Sequence, residues 1–273
     1  MQADNVISDI SASTSKQVRA LFPEKIGNES DNEDDSPVDA TKSKSEYENI
    51  ISVKSSQSGY LQYIDGKALL KLMKKYNTLF ELNYRPGDYI IENIEIGKLY
   101  TNEKVEQDKL EKVLFQIAIG KTKTTQQDIE FSIHQIVEIA VRALSSGIND
   151  PYTAYACINN VTAIMCYLAQ VKFPSKYRVD DKKELRVIAK TLDFEGILDA
   201  AFNPIRQFSA GNTSVIIKLM EVLLIIHEFA AKESYKKAIL KHVKMTLNIG
   251  KESIKEKNDL EDLIEKSKKI MPE

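Results

Sequence analysis

The stretch from Asp128 to Asn160 constrains the fold of this chain more than any other, because it predicts two helices joined by a tight corner. The first helix has one core-facing stripe of apolar residues at helical spacing: Ile129, Ile133, Ile136, Val137, Ala140 and Leu144. It ends at 145–147 (Ser-Ser-Gly), where we expect the glycine to take the left-handed conformation that closes a helix. Asn149 or Asp150 then caps the second helix, and Pro151 suits its first position because no amide hydrogen is needed there.

One face of the first predicted helix carries four polar residues at four-residue steps: Glu130, His134, Glu138 and Arg142. Carboxylates and imidazoles bind divalent cations, so this face and the residue before the helix form a candidate metal site. Its candidate ligands are Asp128, Glu130, His134 and Glu138. The His-Glu-x-x-His motif of known zinc sites is absent, and the alternative is a solvated face with an ion pair between Glu138 and Arg142.

A second helix end resembles the first. The segment 206–211 (RQFSAG) repeats the Arg, Ser and Gly of 142–147 (RALSSG) in the same order, and an asparagine follows each segment closely. The repetition predicts a duplicated helical hairpin whose two corners meet near one pocket. The alternative is a chance match, because serine and glycine commonly end helices.

The two corners supply the candidate ligand-binding residues: Arg142, Asn149, Asp150, Arg206, Gln207 and Asn212. Two arginines beside two helix N-termini would favour a small anion with a carboxylate or phosphate group. The structural alternative assigns Arg142 to the last carbonyls of its helix and Asp150 to the N-cap of the next helix.

The predicted fold class is α+β, with a small β module followed by an all-α helical bundle. Short aromatic and β-branched runs between residues 49 and 120 predict a small β barrel or sandwich with one inserted helix at about 67–76. From Asp128 onward we expect helices alone, with breaks that include Gly250. Their predicted ranges are about 129–145, 151–170, 183–192, 195–209, 213–231, 233–248 and 253–269.

Four segments follow from this pattern. We expect a lead-in helix at 1–26, a flexible acidic loop at 27–48, the β module at 49–120 and the helical bundle at 121–273. The segment 27–48 is rich in charged and small polar residues, so it cannot bury enough apolar surface to offset the entropy of ordering.

Composition excludes several classes of function. A formal net charge of −2 gives no reason to expect nucleic-acid binding, which depends on basic surface. Cys157 and Cys166 lie nine residues apart on one predicted helix and cannot bridge each other, which indicates core residues of a reduced compartment. No nucleophile–base arrangement or phosphate-binding glycine loop is present, so the sequence assigns no cofactor.

Several sequence blocks carry a family resemblance: SGYLQYID, RPGDYI, QQDIEFSIHQIVEIAV followed by RALSSGINDPYTA, and IRQFSAGN. Together they resemble domain-of-unknown-function family 2254, which consists of predicted bacterial membrane proteins. Its motif falls on Asp128, Phe131, Gln135, Arg142, Asn149, Asp150, Pro151, Thr153, Arg206, Gln207, Gly211 and Asn212. Three residues depart from it, namely Ser146, Lys121 and Pro204, and we expect Pro204 to kink its helix.

The resemblance implies that transmembrane helices missing from this chain hold the full-length protein in the inner (cell) membrane. This chain then corresponds to the soluble C-terminal portion, which the reduced cysteines place in the cytoplasm. We expect a non-enzymatic sensing or assembly domain that forms homo-oligomers, because open strand edges and an amphipathic terminal helix offer surfaces for association. The alternative function is a membrane-tethered metal-dependent hydrolase or transferase.

Overall fold

The backbone alternates between a helical unit and a unit that contains the β-sheets. The computed structural model describes residues 2–22 and 39–271. The helical unit comprises Met1–Asn28, Ile129–Phe173 and Leu192–Glu273, and the sheet unit comprises Glu29–Asp128 and Pro174–Thr191. The predicted α+β class is confirmed, but residues 174–191, which the sequence assigned to the bundle, belong to the sheet unit.

In chain order the helices are α1 (Gln2–Leu21), α2 (Ala40–Ser45), α3 (Gly66–Tyr76), α4 (Gln107–Leu114), α5 (Ile129–Ala143), α6 (Pro151–Leu168), α7 (Phe194–Phe208), α8 (Thr213–Phe229), α9 (Glu233–Ser253) and α10 (Lys257–Lys268). The strands are β1 (Asn49–Lys54), β2 (Gly59–Ile64), β3 (Leu79–Leu82), β4 (Tyr89–Ile90), β5 (Glu95–Thr101), β6 (Ile117–Gly120), β7 (Tyr177–Val179) and β8 (Leu185–Ala189). The predicted acidic loop lies outside the described residues between 27 and 38, and its end forms α2 instead.

Helices α5 and α6 form a hairpin at the centre of the helical unit, and α5 also packs on α7 while α6 packs on α8. The second hairpin expected from the sequence does not form, because α7 packs on α5 and α9 rather than closely on α8. Helix α8 is apolar around most of its circumference and needs cover on several sides, which α6, α9 and α10 provide. Helix α1 is part of this unit rather than a separate lead-in, because Ile7 and Val18 are buried in the core and α1 packs on α5 and α6.

One predicted interruption of the bundle helices does not occur. Gly250 lies inside α9, and a Cβ atom added there would lie 2.1 Å from Cδ2 of Leu263 on α10. The glycine therefore permits close packing of the last two helices and does not end a helix. Pro204 lies inside α7, which continues to Phe208, and the kink expected at this residue stays a prediction.

The sheet unit contains two open sheets, and no closed barrel forms among the described residues. One sheet has the order β1-β5-β3-β8-β7 and the other has the order β4-β2-β6. The helix predicted at 183–192 is wrong. Strand β8 forms there instead and pairs in parallel with β3, with Phe80 opposite Val187. Such a long-range pairing overrides the local propensity of a short apolar run.

A buried guanidinium fixes the β7–β8 hairpin. Arg186 Nε donates to Asp180 Oδ2 at 2.9 Å, and Arg186 Nη1 donates to Asn77 Oδ1 at 2.9 Å. The guanidinium also pairs with Glu184, and the side chains of Arg186 and Asp180 are only 6% and 2% exposed. Ion pairing and hydrogen bonding together satisfy this buried charge, so the cluster has a structural role.

Candidate functional site

The two helix ends singled out in the sequence share the hydrogen bonds of a serine to an arginine carbonyl. Ser145 Oγ donates to the carbonyl oxygen of Arg142 at 2.7 Å, and Ser209 Oγ donates to that of Arg206 at 2.8 Å. The backbone amides of the two serines donate to the same carbonyls, each at 3.2 Å. A serine three residues after an arginine therefore closes both helices in one way, which gives the sequence repetition a structural basis.

The residue with left-handed backbone differs from the one predicted. In the first corner it is Asn149, with φ of 47°, and in the second corner it is Gly211, with φ of 82°. Asparagine tolerates this conformation better than most residues because its short amide can form local hydrogen bonds. The expectation that Gly147 takes it is wrong.

A side-chain hydrogen bond joins the two corners. Asn212 Nδ2 donates to Asn149 Oδ1 at 3.3 Å, although the two residues are 63 positions apart. The prediction that the corners meet is thus confirmed, while the pocket expected beside them stays a prediction. We call residues 142–153 and 206–213 together the paired corner.

Asp150 caps helix α6, as predicted. Its Oδ1 accepts hydrogen bonds from the amides of Tyr152 and Thr153, each at 3.1 Å, and its Oδ2 accepts one from the Thr153 hydroxyl at 2.6 Å. The hydrogen bonds from Thr153 lower the pKa of Asp150. A carboxylate thus already occupies the N-terminus of α6, where an external anion would otherwise be favoured.

Arg142 pairs with Glu138 and does not hold the last carbonyls of its helix. Arg142 Nη2 lies 2.6 Å from Glu138 Oε1, and the two side chains are 73% and 62% exposed. This is the solvated ion pair that the sequence offered as an alternative. Its contribution to stability is about 0.3–0.5 kcal/mol, because water and salt screen exposed pairs.

Arg206 belongs to a polar cluster between α7 and α9. Its Nη2 donates to Asn203 Oδ1 at 3.4 Å, and Asn203 Nδ2 donates to Asp199 Oδ1 at 3.1 Å. The same Asp199 oxygen lies 2.8 Å from Nε2 of His242, which is buried. Burial lowers the pKa of His242, although Asp199 acts in the opposite direction. The sequence analysis missed this cluster because His242 lies in a distant helix. The one available signal was the four-residue spacing of Asp199 and Asn203, which places both polar side chains on the same face of α7.

The candidate metal ligands do not form a cluster of three. His134 and Glu138 are exposed on α5, and Glu130 is half-buried. Asp128 is buried in the sheet unit, where a Cβ atom added to Gly87 would lie 2.2 Å from its Oδ2. Within residues 2–22 and 39–271, no group of three or more His, Cys, Asp and Glu residues is arranged to hold a metal ion.

Three large apolar side chains of the paired corner are exposed to solvent. Ile148 is 63% exposed, Tyr152 is 80% exposed and Phe208 is 50% exposed. The Tyr152 ring contacts the Tyr155 ring edge-on, with centroids 6.1 Å apart. The paired corner therefore carries exposed apolar side chains as well as Arg142 of the Glu138–Arg142 ion pair.

Comparison with known proteins places the chain in a family. Uncharacterized proteins of Mycobacterium bovis and of two strains of Mycobacterium tuberculosis are each 24% identical to it over 265 residues. These matches cover 95% of this chain and 49% of each relative, so the chain spans about half the length of the curated relatives it matches. No solved structure gives a significant match. In the part of the chain that the structure describes, no helix has both the length and the apolar character needed to cross a membrane. The family described as "Predicted membrane protein (DUF2254)" matches residues 1–224, and the chain belongs to that family, as its motifs indicated.

Proposed function

We propose that this chain is an assembly domain of a membrane protein, and that two copies of it associate through the paired corner. The observation that carries the proposal is the exposure of three large apolar side chains of the paired corner, Ile148, Tyr152 and Phe208. Exposed apolar groups that belong to one surface with a polar rim are typical of protein interaction sites.

The geometry of the corner lowers the cost of association. Ile148 and Tyr152 lie at the corner between α5 and α6, Phe208 lies at the end of α7, and the hydrogen bond from Asn212 to Asn149 joins the two corners. Side chains held at the ends of packed helices lose less conformational freedom on binding than side chains on a long loop. Aromatic rings also bury a large area for few rotatable bonds.

The charges at the rim favour a second copy as the partner. A two-fold interface brings the same surface of both copies together, so the surface must be complementary to itself. Apolar side chains at the centre satisfy this condition. The adjacent opposite charges of Arg142 and Glu138 satisfy it too, because each can face its counterpart on the other copy.

The family supports a location at the cell membrane, and the cysteines support the cytoplasmic side. Cys157 and Cys166 are both free thiols on α6. Burial raises the pKa of Cys157 to about 12 and that of Cys166 to about 11, so both stay protonated at neutral pH. Unreactive core thiols of this kind fit a reducing compartment.

Light scattering after size exclusion tests the proposal. We expect a dimer for the wild type and a monomer for Ile148→Ser/Phe208→Ser, because the double change replaces the apolar centre by hydroxyl groups. The matched control is Ile50→Ser/Phe115→Ser, which removes side chains that are 61% and 87% exposed in the sheet unit. A wild type that stays monomeric over the whole concentration range, or equal dissociation of both variants, would refute the assignment of the surface.

A further inference from the structure

The exposed face of α9 carries a row of lysines that the proposed assembly does not use. Lys237, Lys241, Lys244 and Lys251 follow one another at steps of four, three and seven residues, which places them on one side of the helix. We call these four residues the lysine ridge. The opposite side of α9 is buried: Tyr235, Ala238, Ile239, His242, Val243, Thr246 and Gly250. Helix α9 is thus anchored in its unit by one face and presents positive charge on the other.

Apolar side chains lie among these charges. Leu240 and Met245 are partly exposed, and they line an open depression of about 500 Å³ together with Lys237, Lys241 and Lys244. A helix face that combines lysines with apolar side chains is typical of helices that lie on a membrane surface. The aliphatic stems of the lysines can follow the apolar boundary while their ammonium groups stay at the level of the lipid headgroups.

Most of the charge of the ridge is available to a partner. Lys241 lies 2.8 Å from Glu195 and 3.5 Å from Asp199, so it is paired within its own unit. Among the described residues, Lys237, Lys244 and Lys251 have no ion-pair partner, and all three are exposed. These three ammonium groups, which make no salt bridge within the described part of the chain, form a strip of positive potential along one helix face. The charge of Lys237 also acts on the carboxylate of Glu233.

We infer that the lysine ridge binds the surface of a bilayer that contains anionic phospholipids. The family to which the chain belongs supplies the setting, since it is described as membrane proteins. The formal net charge of the chain is −2, so overall charge would oppose this binding and the local strip must provide the attraction. A nucleic acid is the less suitable partner, because it has no apolar region like the acyl boundary of a bilayer for Leu240 and Met245 to contact.

Vesicle co-sedimentation of the purified chain tests the inference. We expect the wild type to sediment with vesicles of phosphatidylcholine and phosphatidylglycerol and to stay in solution with vesicles of phosphatidylcholine alone. The variant Lys237→Glu/Lys244→Glu leaves the Lys241 pairs intact and should bind the anionic vesicles on the order of 30-fold more weakly, or worse. Millimolar inorganic phosphate at constant ionic strength should not compete, because the ridge engages a surface and not a single ion.

The matched control is Lys67→Glu/Lys71→Glu, which makes the same change in net charge at two exposed lysines of α3. We expect this variant to keep most of the vesicle binding, and both variants should keep the wild-type melting temperature. Three results would overturn the inference: no wild-type binding to anionic vesicles, equal loss in the two variants, or full competition by inorganic phosphate. The vesicle-bound fraction is read separately from the oligomeric state, so its failure leaves the proposed assembly untouched.

Discussion

Asn212 donates a hydrogen bond to Asn149 across 3.3 Å, and this contact joins two helix ends that lie 63 residues apart in the sequence. Each asparagine also takes part in its own corner. Asn149 has left-handed backbone, and the carbonyl of Asn212 accepts from the amides of Val215 and Ile216 at the start of α8. One amide pair therefore joins the corner between α5 and α6 to the corner between α7 and α8.

Substitutions at Asn149 separate its backbone role from its side-chain role. Asn149→Gly should cost at most about 0.5 kcal/mol, since glycine accepts left-handed backbone and only an exposed hydrogen bond is lost. Asn149→Ala should cost about 1 kcal/mol more, because the Cβ atom is strained at this φ. Urea unfolding measures both, and Asn212→Ala reports the loss of the hydrogen bond alone. Equal stability of the glycine and alanine variants would argue against backbone strain at this position.

Gly250→Ala should destabilise the contact between α9 and α10. The added methyl group would lie 2.1 Å from Cδ2 of Leu263, and overpacking of this kind costs about 1–3 kcal/mol. Gly147→Ala is the control: its Cβ atom meets nothing within 4 Å, and the change should be neutral or slightly stabilising. Thermal unfolding compares the two, and Leu263→Ala should relieve part of the loss in the double variant. Equal effects of the two alanines would contradict the packing explanation.

The sequence predicted the corner between α5 and α6 well, because its signals are local. Apolar spacing, the cap at Asp150 and the proline at 151 each act within a few residues, and the structure contains all of them. The match between 142–147 and 206–211 predicted that the two corners meet. It could not indicate that Asn149, rather than Gly147, has left-handed backbone, because both residue types accept that conformation.

The errors arise where distant residues decide the local structure. The run 185–189 (LRVIA) fits a helix by itself and becomes a strand because β3 lies beside it. Gly250 is a residue type that commonly ends helices, but here it lies inside α9, where Leu263 of α10 packs against it. The cluster of Asp199, Asn203 and His242 depends in the same way on the contact between α7 and α9.

Acid should weaken the sheet unit through Asp180. Burial alone would raise the pKa of this carboxyl, but hydrogen bonds from Arg186 and from backbone amides lower it below the unfolded value of about 3.9. Because the folded pKa is lowered, the ionised carboxylate stabilises the fold fully at pH values above the unfolded pKa. This stabilisation is lost as the pH falls through the folded pKa.

The variant Asp180→Asn should therefore be less stable than the wild type at neutral pH, and the difference should shrink in acid. Denaturant titrations over a pH series measure it. Asp181→Asn, which removes an exposed carboxylate paired with Lys74, is the control and should change little. A difference that stays constant from neutral to strongly acid pH would contradict the pairing with Arg186.

His242 should titrate below the ordinary histidine value of 6.5, because burial disfavours its charged form more than Asp199 favours it. A depressed folded pKa contributes stability above about pH 6.5 that is lost as the pH falls through the folded value. Asp199→Asn should lower the pKa of His242 further, since it removes the group that raises it. Proton NMR of the histidine rings, assigned with His242→Gln, follows this shift. An unchanged pKa in Asp199→Asn would mean that the carboxylate does not act on the ring, and a higher pKa would mean that it acts in the opposite direction.

Cross-linking at the paired corner tests the proposed assembly most directly. A cysteine in place of Tyr152, which is 80% exposed, should form a disulfide-linked dimer on mild oxidation at neutral pH. The native Cys157 and Cys166 can stay, because burial raises their pKa values to about 12 and about 11 and leaves them unreactive. Phe115→Cys, at a position that is 87% exposed in the sheet unit, is the control for random collision. Assembly through the paired corner predicts rapid dimer formation at 152 and slow formation at 115, whereas equal rates at the two positions would contradict it.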